Sequence, residues 1–130
     1  MRRSPEGRKI FAAKDFKNEV EVTTKLGEDY FTGTIDRMFK NEAELWEVVD
    51  YKTNRIDADH IEAAAKKYEW QIKAYAFLLS KLYPEQKTYP VSLYFLHPDK
   101  IYRQSFDQEE TIKIEKFFFN TISEIKNNFI

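Results

Sequence analysis

The sequence predicts an α+β domain built on a mixed, mostly antiparallel β-sheet flanked by helices, with elements in the order βββαββα. Three observations predict it. Residues 17–51 carry strand-like alternation broken by two turn signals, and a second pair of short β-branched and aromatic runs follows at 91–96 and 101–106. Two other stretches space their apolar residues by three and four, and each opens on an Asp-x-x-Glu pattern. A length of 130 residues is enough for one hydrophobic core. Residues 1–18 are expected to be an irregular N-terminal extension and residues 19–130 a single domain.

The first strand is expected where Val20, Val22 and Thr24 alternate with Glu19, Glu21 and Thr23, the period of a half-buried strand. Leu26-Gly27-Glu28-Asp29 supplies a turn, and residues 30–39 form a second strand rich in aromatic and β-branched side chains. After a turn at 40–43, residues 45–51 are apolar on both faces, as in a central strand. A long helix is expected from Asp59 and Glu62 through Ile61, Ala65, Tyr68, Ile72, Tyr75, Leu79 and Leu82 until Pro84 stops it. Two strands then flank the turn His97-Pro98-Asp99-Lys100. Asp107 and Glu110 open a last helix carrying Ile114, Phe117, Phe118, Ile122 and Ile125.

Composition narrows the chemistry. The chain has no cysteine, which excludes a disulfide framework, a thiolate zinc site, an iron–sulfur cluster and a cysteine nucleophile, and makes the cytoplasm the expected compartment. No run of about 18 apolar residues exists, and the opening Met1-Arg2-Arg3-Ser4-Pro5 leads into charged residues, so neither a membrane span nor a secretory signal is expected. With 21 Lys+Arg against 22 Asp+Glu, the charge balance does not advertise a nucleic-acid partner. A site that recruits metal cations can nevertheless meet phosphate on a neutral protein. There is no glycine-rich phosphate loop, no G-x-S-x-G and no H-E-x-x-H. His60 and His97 fall at a helix start and in a turn, without metal-ligand spacing.

Four features remain. Asp50 and Lys52 lie two apart on a strand and so share a face, at the end of a run that is expected to be buried. An acid and an amine there are either a partly buried salt bridge or part of a hard-cation site, in which Asp36 joins Asp50 across the hairpin and Lys52 faces a water or a phosphate. Gly33 inside a strand is either a bulge or a point of close backbone approach. Asp36 alone is either a solvated charge or a ligand. Gln71 and Tyr75, four apart, share one helix face as a polar edge or as part of the same site.

In order, G-T-I-D at 33–36, V-V-D-Y-K-T at 48–53 and Q-x-x-x-Y at 71–75 resemble the RecB-like branch of the PD-(D/E)xK nuclease superfamily, over about residues 20–106. The resemblance implies a restriction-endonuclease-like fold and a metal-dependent DNA nuclease, as in the exonuclease modules of repair and recombination helicase–nucleases. It implies metal binding by Asp36, Asp50 and the backbone carbonyl of Tyr51, with Mg²⁺ or Mn²⁺ as cofactor and Lys52 acting on the attacking water. Gly33, Thr53, Gln71 and Tyr75 are implied as DNA-binding or site-bracing residues. The implied partners are DNA, a helicase domain in the same parent chain and a partner subunit. Relatives carrying a four-cysteine iron–sulfur cluster are excluded. That branch places a histidine upstream of the glycine–aspartate motif, and none precedes Gly33 here. The expectation is a fragment of a larger helicase–nuclease; the alternative is an inactive nuclease-like fold that binds DNA or docks a subunit.

Overall fold

A computed structural model describes residues 3–129. Its elements are α1 (Pro5–Ala12), β1 (Phe16–Leu26), β2 (Asp29–Lys40), β3 (Trp46–Lys52), a 3₁₀ turn at Ala58–His60, α2 (Ile61–Lys66), α3 (Glu69–Leu82), β4 (Thr88–Phe95), β5 (Lys100–Asp107) and α4 (Gln108–Phe129). One five-stranded sheet runs in chain order, β1-β2-β3-β4-β5. Every pair is antiparallel except β3 with β4, which run parallel because α2 and α3 carry the chain back over the sheet. The mixed α+β architecture is therefore the expected one.

One face of the sheet holds the main core. Val22, Ile35, Met38, Val48, Leu93 and Phe95 pack there against Ile72, Ala76, Phe77 and Leu79 of α3 and Ile114 of α4. Phe77 meets Phe31 edge-on at 5.4 Å and Phe118 at 5.9 Å, so β2, α3 and α4 close around one aromatic cluster. Asp107 and Glu110 form the expected capping box: the Glu110 amide donates to Asp107 Oδ1 (2.8 Å) and the Asp107 amide to Glu110 Oε1 (3.1 Å).

Two expectations fail. Residues 5–12 are helical rather than irregular, and β1, from Phe16, takes in the end of the expected N-terminal extension; residues 1–2 lie outside the described residues. The Ser4 hydroxyl caps this helix by accepting from the Gly7 amide (3.1 Å), with Pro5 in the first turn where its missing N–H costs nothing. Helix α1 covers the other sheet face, where Ile10 packs with Phe39, Val49 and Tyr94. Gly7 permits that approach, since a Cβ there would overlap the Tyr94 ring. The single helix expected from Asp59 is instead a 3₁₀ turn and two helices broken at Lys67 and Tyr68, and no side chain caps the start of α2.

The strand alternation also changes phase. Ile35 and Met38 both face the main core, yet Arg37 between them faces α1 and donates to the Ile10 carbonyl. The switch falls at Asp36. Directly across, on β1, Glu19 has φ +50° and is the one position between Asn18↔Arg37 and Val20↔Ile35 that is not paired. A non-glycine residue in that region costs about 1–2 kcal/mol. Because Glu19 is exposed and its side chain makes no hydrogen bond or ion pair among the described residues, Glu19→Gly is expected to stabilise the protein by about 0.5–1 kcal/mol, read as a higher urea midpoint; an unchanged or lower midpoint contradicts the strain.

Candidate active site

The phase change creates a fork. Strands β2 and β3 pair at Arg37↔Val49, Met38↔Val48, Phe39↔Glu47 and Lys40↔Trp46, and the pairing stops one step before Asp36 would meet Asp50. The Asp36 side chain fills the gap: its Oδ2 accepts from the Tyr51 amide at 3.3 Å. In an extended strand the N–H and C=O of one residue point to the same edge, so the Tyr51 carbonyl also faces the fork. Beneath it, on the α1 side, Phe11 stacks on the Tyr51 ring at 5.8 Å.

Asp50 and Lys52 point into the α3 side of the sheet. Lys52 Nζ lies 2.9 Å from Asp50 Oδ2 and donates to Gln71 Oε1 at 2.7 Å. Gln71 Nε2 in turn donates to the Tyr75 hydroxyl at 3.2 Å. Asp50, Lys52, Gln71 and Tyr75 thus form one bonded chain, and Asp36, held by the Tyr51 amide, lies beside Asp50; the five are read from three separate stretches of sequence. The ion pair that a purely structural reading requires is present; Asp36 and Gln71 converging on it are what that reading does not require.

The electrostatics of the cluster are those of a buried carboxylate set between a second carboxylate and an ammonium. Asp50 is only 4% exposed, and its Oδ2, although close to Lys52, has no hydrogen bond of acceptable geometry. Burial, with Asp36 beside it, pushes its carboxyl up to about 6 against the opposing pull of Lys52. The Tyr75 phenol is raised by burial and then by the charges of Asp50 and Asp36, which keeps it a neutral hydrogen-bonding group rather than a base. A buried carboxylate oxygen met only by the Lys52 ammonium, a second carboxylate and a strand carbonyl fit a small hard cation that completes its shell with water. Among the described residues no third His, Cys, Asp or Glu joins them.

The other expected residues fall less simply. Gly33 is in regular register opposite Val22, with no bulge, and the close approach it allows is internal: a Cβ there would sit 2.7 Å from Leu78 Cδ1 of α3. It seats α3 over the hairpin. Thr53 is exposed just past β3, outside the bonded cluster. His60 and His97 are exposed. Two residues were missed: Lys52 Nζ sits 3.9 Å over the Tyr68 ring, and Asn54 Nδ2 donates to the Tyr68 hydroxyl at 3.1 Å. Tyr68 falls on the same helical phase as Gln71 and Tyr75, which is the signal that could have found it. A groove of about 740 Å³ lies on the opposite sheet face beside α1; its buried floor, Glu47, already binds Arg103, Ser92 and Asn41.

A mixed sheet whose forked central strands carry D…D-x-K, with a glutamine from the crossover helix on the lysine, has the arrangement of the PD-(D/E)xK class. The chain belongs to the PD-(D/E)XK nuclease superfamily, whose family model matches residues 2–130. Among solved structures, it is similar to one described as a "Putative exonuclease" from Eubacterium rectale, at 14% identity and a TM-score of 0.56, covering 98% of this chain and 50% of that one. The structure of SSO0001 aligns at 19% identity and a TM-score of 0.48, covering 83% of this chain and 50% of that one. The chain therefore spans about half the length of these structural relatives. No curated protein matches it. Among the described residues no helix is long and apolar enough to cross a membrane.

Proposed function

We propose that this chain is the catalytic core of a metal-dependent deoxyribonuclease, acting as the exonuclease module of a RecB-like helicase–nuclease in DNA repair and recombination. The observation that carries the reading is the meeting of Asp36, Asp50, Lys52 and Gln71 at the β2–β3 fork. Asp36, Asp50 and the Tyr51 carbonyl would hold Mg²⁺ or Mn²⁺, which supplies charge neutralisation at the phosphodiester and a more acidic water. The ammonium of Lys52 would orient the attacking water and stabilise charge developing on the phosphate oxygens. Gln71 fixes the direction of Lys52, and Tyr75 fixes Gln71. Covalent continuity with a helicase domain, and a partner subunit, belong to the same proposal, resting on the sequence motifs.

A second reading, a nuclease-like fold that binds DNA or docks a subunit without cutting, is favoured by the lack of a third metal-ligating side chain among the described residues. Thermal melting separates the two. At pH 7.5, millimolar Mn²⁺ is expected to raise the melting temperature by several degrees through mass action, and Asp36→Ala to abolish the shift. A melting temperature indifferent to Mn²⁺ supports the non-cutting module.

A further inference from the structure

We propose that Tyr68 is a positioning residue that holds the ammonium of Lys52 in the active site, a role that rests on the nuclease reading of that site. The Nζ of Lys52 sits 3.9 Å over the Tyr68 ring, and the Lys52 side chain is only 12% exposed, so the cation meets the ring face with little competing water. The ring is itself held. Asn54, two residues beyond Lys52, donates from Nδ2 to the Tyr68 hydroxyl at 3.1 Å, and that hydroxyl lies 3.4 Å from Asn54 Oδ1. Tyr68 stands at the break between α2 and α3, and its carbonyl accepts from the Ile72 amide at 2.9 Å, so the start of α3 aims the ring.

The need for such a holder follows from the charges. Lys52 has three partners: Asp50 Oδ2 at 2.9 Å, Gln71 Oε1 at 2.7 Å and the ring of Tyr68. When Asp50 serves a divalent cation, its attraction for Lys52 weakens and the two positive groups repel across a few ångströms. Only Gln71 and the ring of Tyr68 then keep the ammonium from swinging out to solvent. An aromatic face does so without carrying a formal charge of its own, and the N–H that Asp50 gives up is then available to a water or a phosphate oxygen.

The test compares Tyr68→Phe, Tyr68→Leu and Lys52→Ala in the full-length protein, with NMR of Lys52 in the protein without metal. Tyr68→Phe keeps the ring and is expected to cleave DNA within about threefold of the wild-type kcat, whereas Tyr68→Leu loses about tenfold in kcat with KM little changed. The Lys52 Hε resonances are expected upfield of ordinary lysine positions in the wild type and in Tyr68→Phe, through the ring current. Resonances at ordinary positions in the wild type overturn the proposal whether or not Tyr68→Leu folds. Wild-type turnover in Tyr68→Leu beside an inactive Lys52→Ala overturns it alone, while full activity in Lys52→Ala overturns the site reading beneath it.

Discussion

Asp50→Asn will lower metal-dependent DNA cleavage by about 10²- to 10³-fold and, without metal at pH 8, make the protein more stable by about 1–3 kcal/mol. The two effects have one cause. Asp50 is buried with an oxygen that no hydrogen bond satisfies, and its carboxyl is pushed from 3.8 to about 6, chiefly by burial. In the unfolded chain the group ionises at its ordinary value, so between about pH 4 and 6 the folded protein binds more protons than the unfolded one. Stability from this group is therefore fully present below pH 4 and lost as pH rises through 6. Wild-type stability without metal should fall across that window, and Asp50→Asn should not. Urea unfolding at pH 4, 5, 6, 7 and 8 measures it; a wild-type stability that rises with pH across the window, with no gain in Asp50→Asn, contradicts the account. On the proposed function, a cation held by Asp36 and Asp50 would offset that penalty.

Arg37→Met is expected to cost about 2–4 kcal/mol, a large share of a small domain's stability. Arg37 is 6% exposed and sits at the phase change beside Asp36. Its Nε and one terminal nitrogen donate to the Ile10 carbonyl at 3.3 and 3.0 Å, its other terminal nitrogen donates to Asn18 Oδ1 at 2.9 Å, and the guanidinium lies 4.2 Å over the Phe16 ring. One side chain thus ties the last turn of α1 to β1 and β2. Methionine fills much of the volume but leaves the buried Ile10 carbonyl without a donor. Urea unfolding gives the loss, and hydrogen exchange should show the α1 amides opening first; a cost below about 0.5 kcal/mol would mean that α1 is held by Ile10 and Phe11 alone.

What was legible in the sequence divides along physical lines. Local signals were readable: the Asp107 and Glu110 box, the alternation of β1, and the apolar run of β3 leading to Asp50 and Lys52. The pairing of Gln71 with Tyr75 was readable too, because helix phase alone fixes it. Helix α1 announced itself through Ser4-Pro5, a cap followed by proline, but Gly7 and the surrounding charges masked it; only the Tyr94 ring explains why glycine belongs there. The aim of Asp36 was not readable. Simple alternation puts Ile35 and Arg37 on one face, and the switch depends on Glu19 across the hairpin, which no local pattern marks. Gly33 stayed open between a bulge and a close backbone approach because its neighbour Leu78 lies 45 positions away in the chain and meets it only after α3 has docked. The helix break at Tyr68 was hidden for a similar reason: its spacing matches that of a core residue, while its ring faces Lys52.

The central claim, that these residues hydrolyse phosphodiesters, is tested most directly by incubating end-labelled duplex and single-stranded DNA with the full-length protein and Mg²⁺, alongside Asp36→Ala and Lys52→Ala. The account predicts cleavage by the wild type, its loss on chelation with EDTA, and a fall of at least about 10²-fold in both variants while their folded structure persists. Equal cleavage by wild type and both variants, or no cleavage by a wild type that binds DNA, would contradict it.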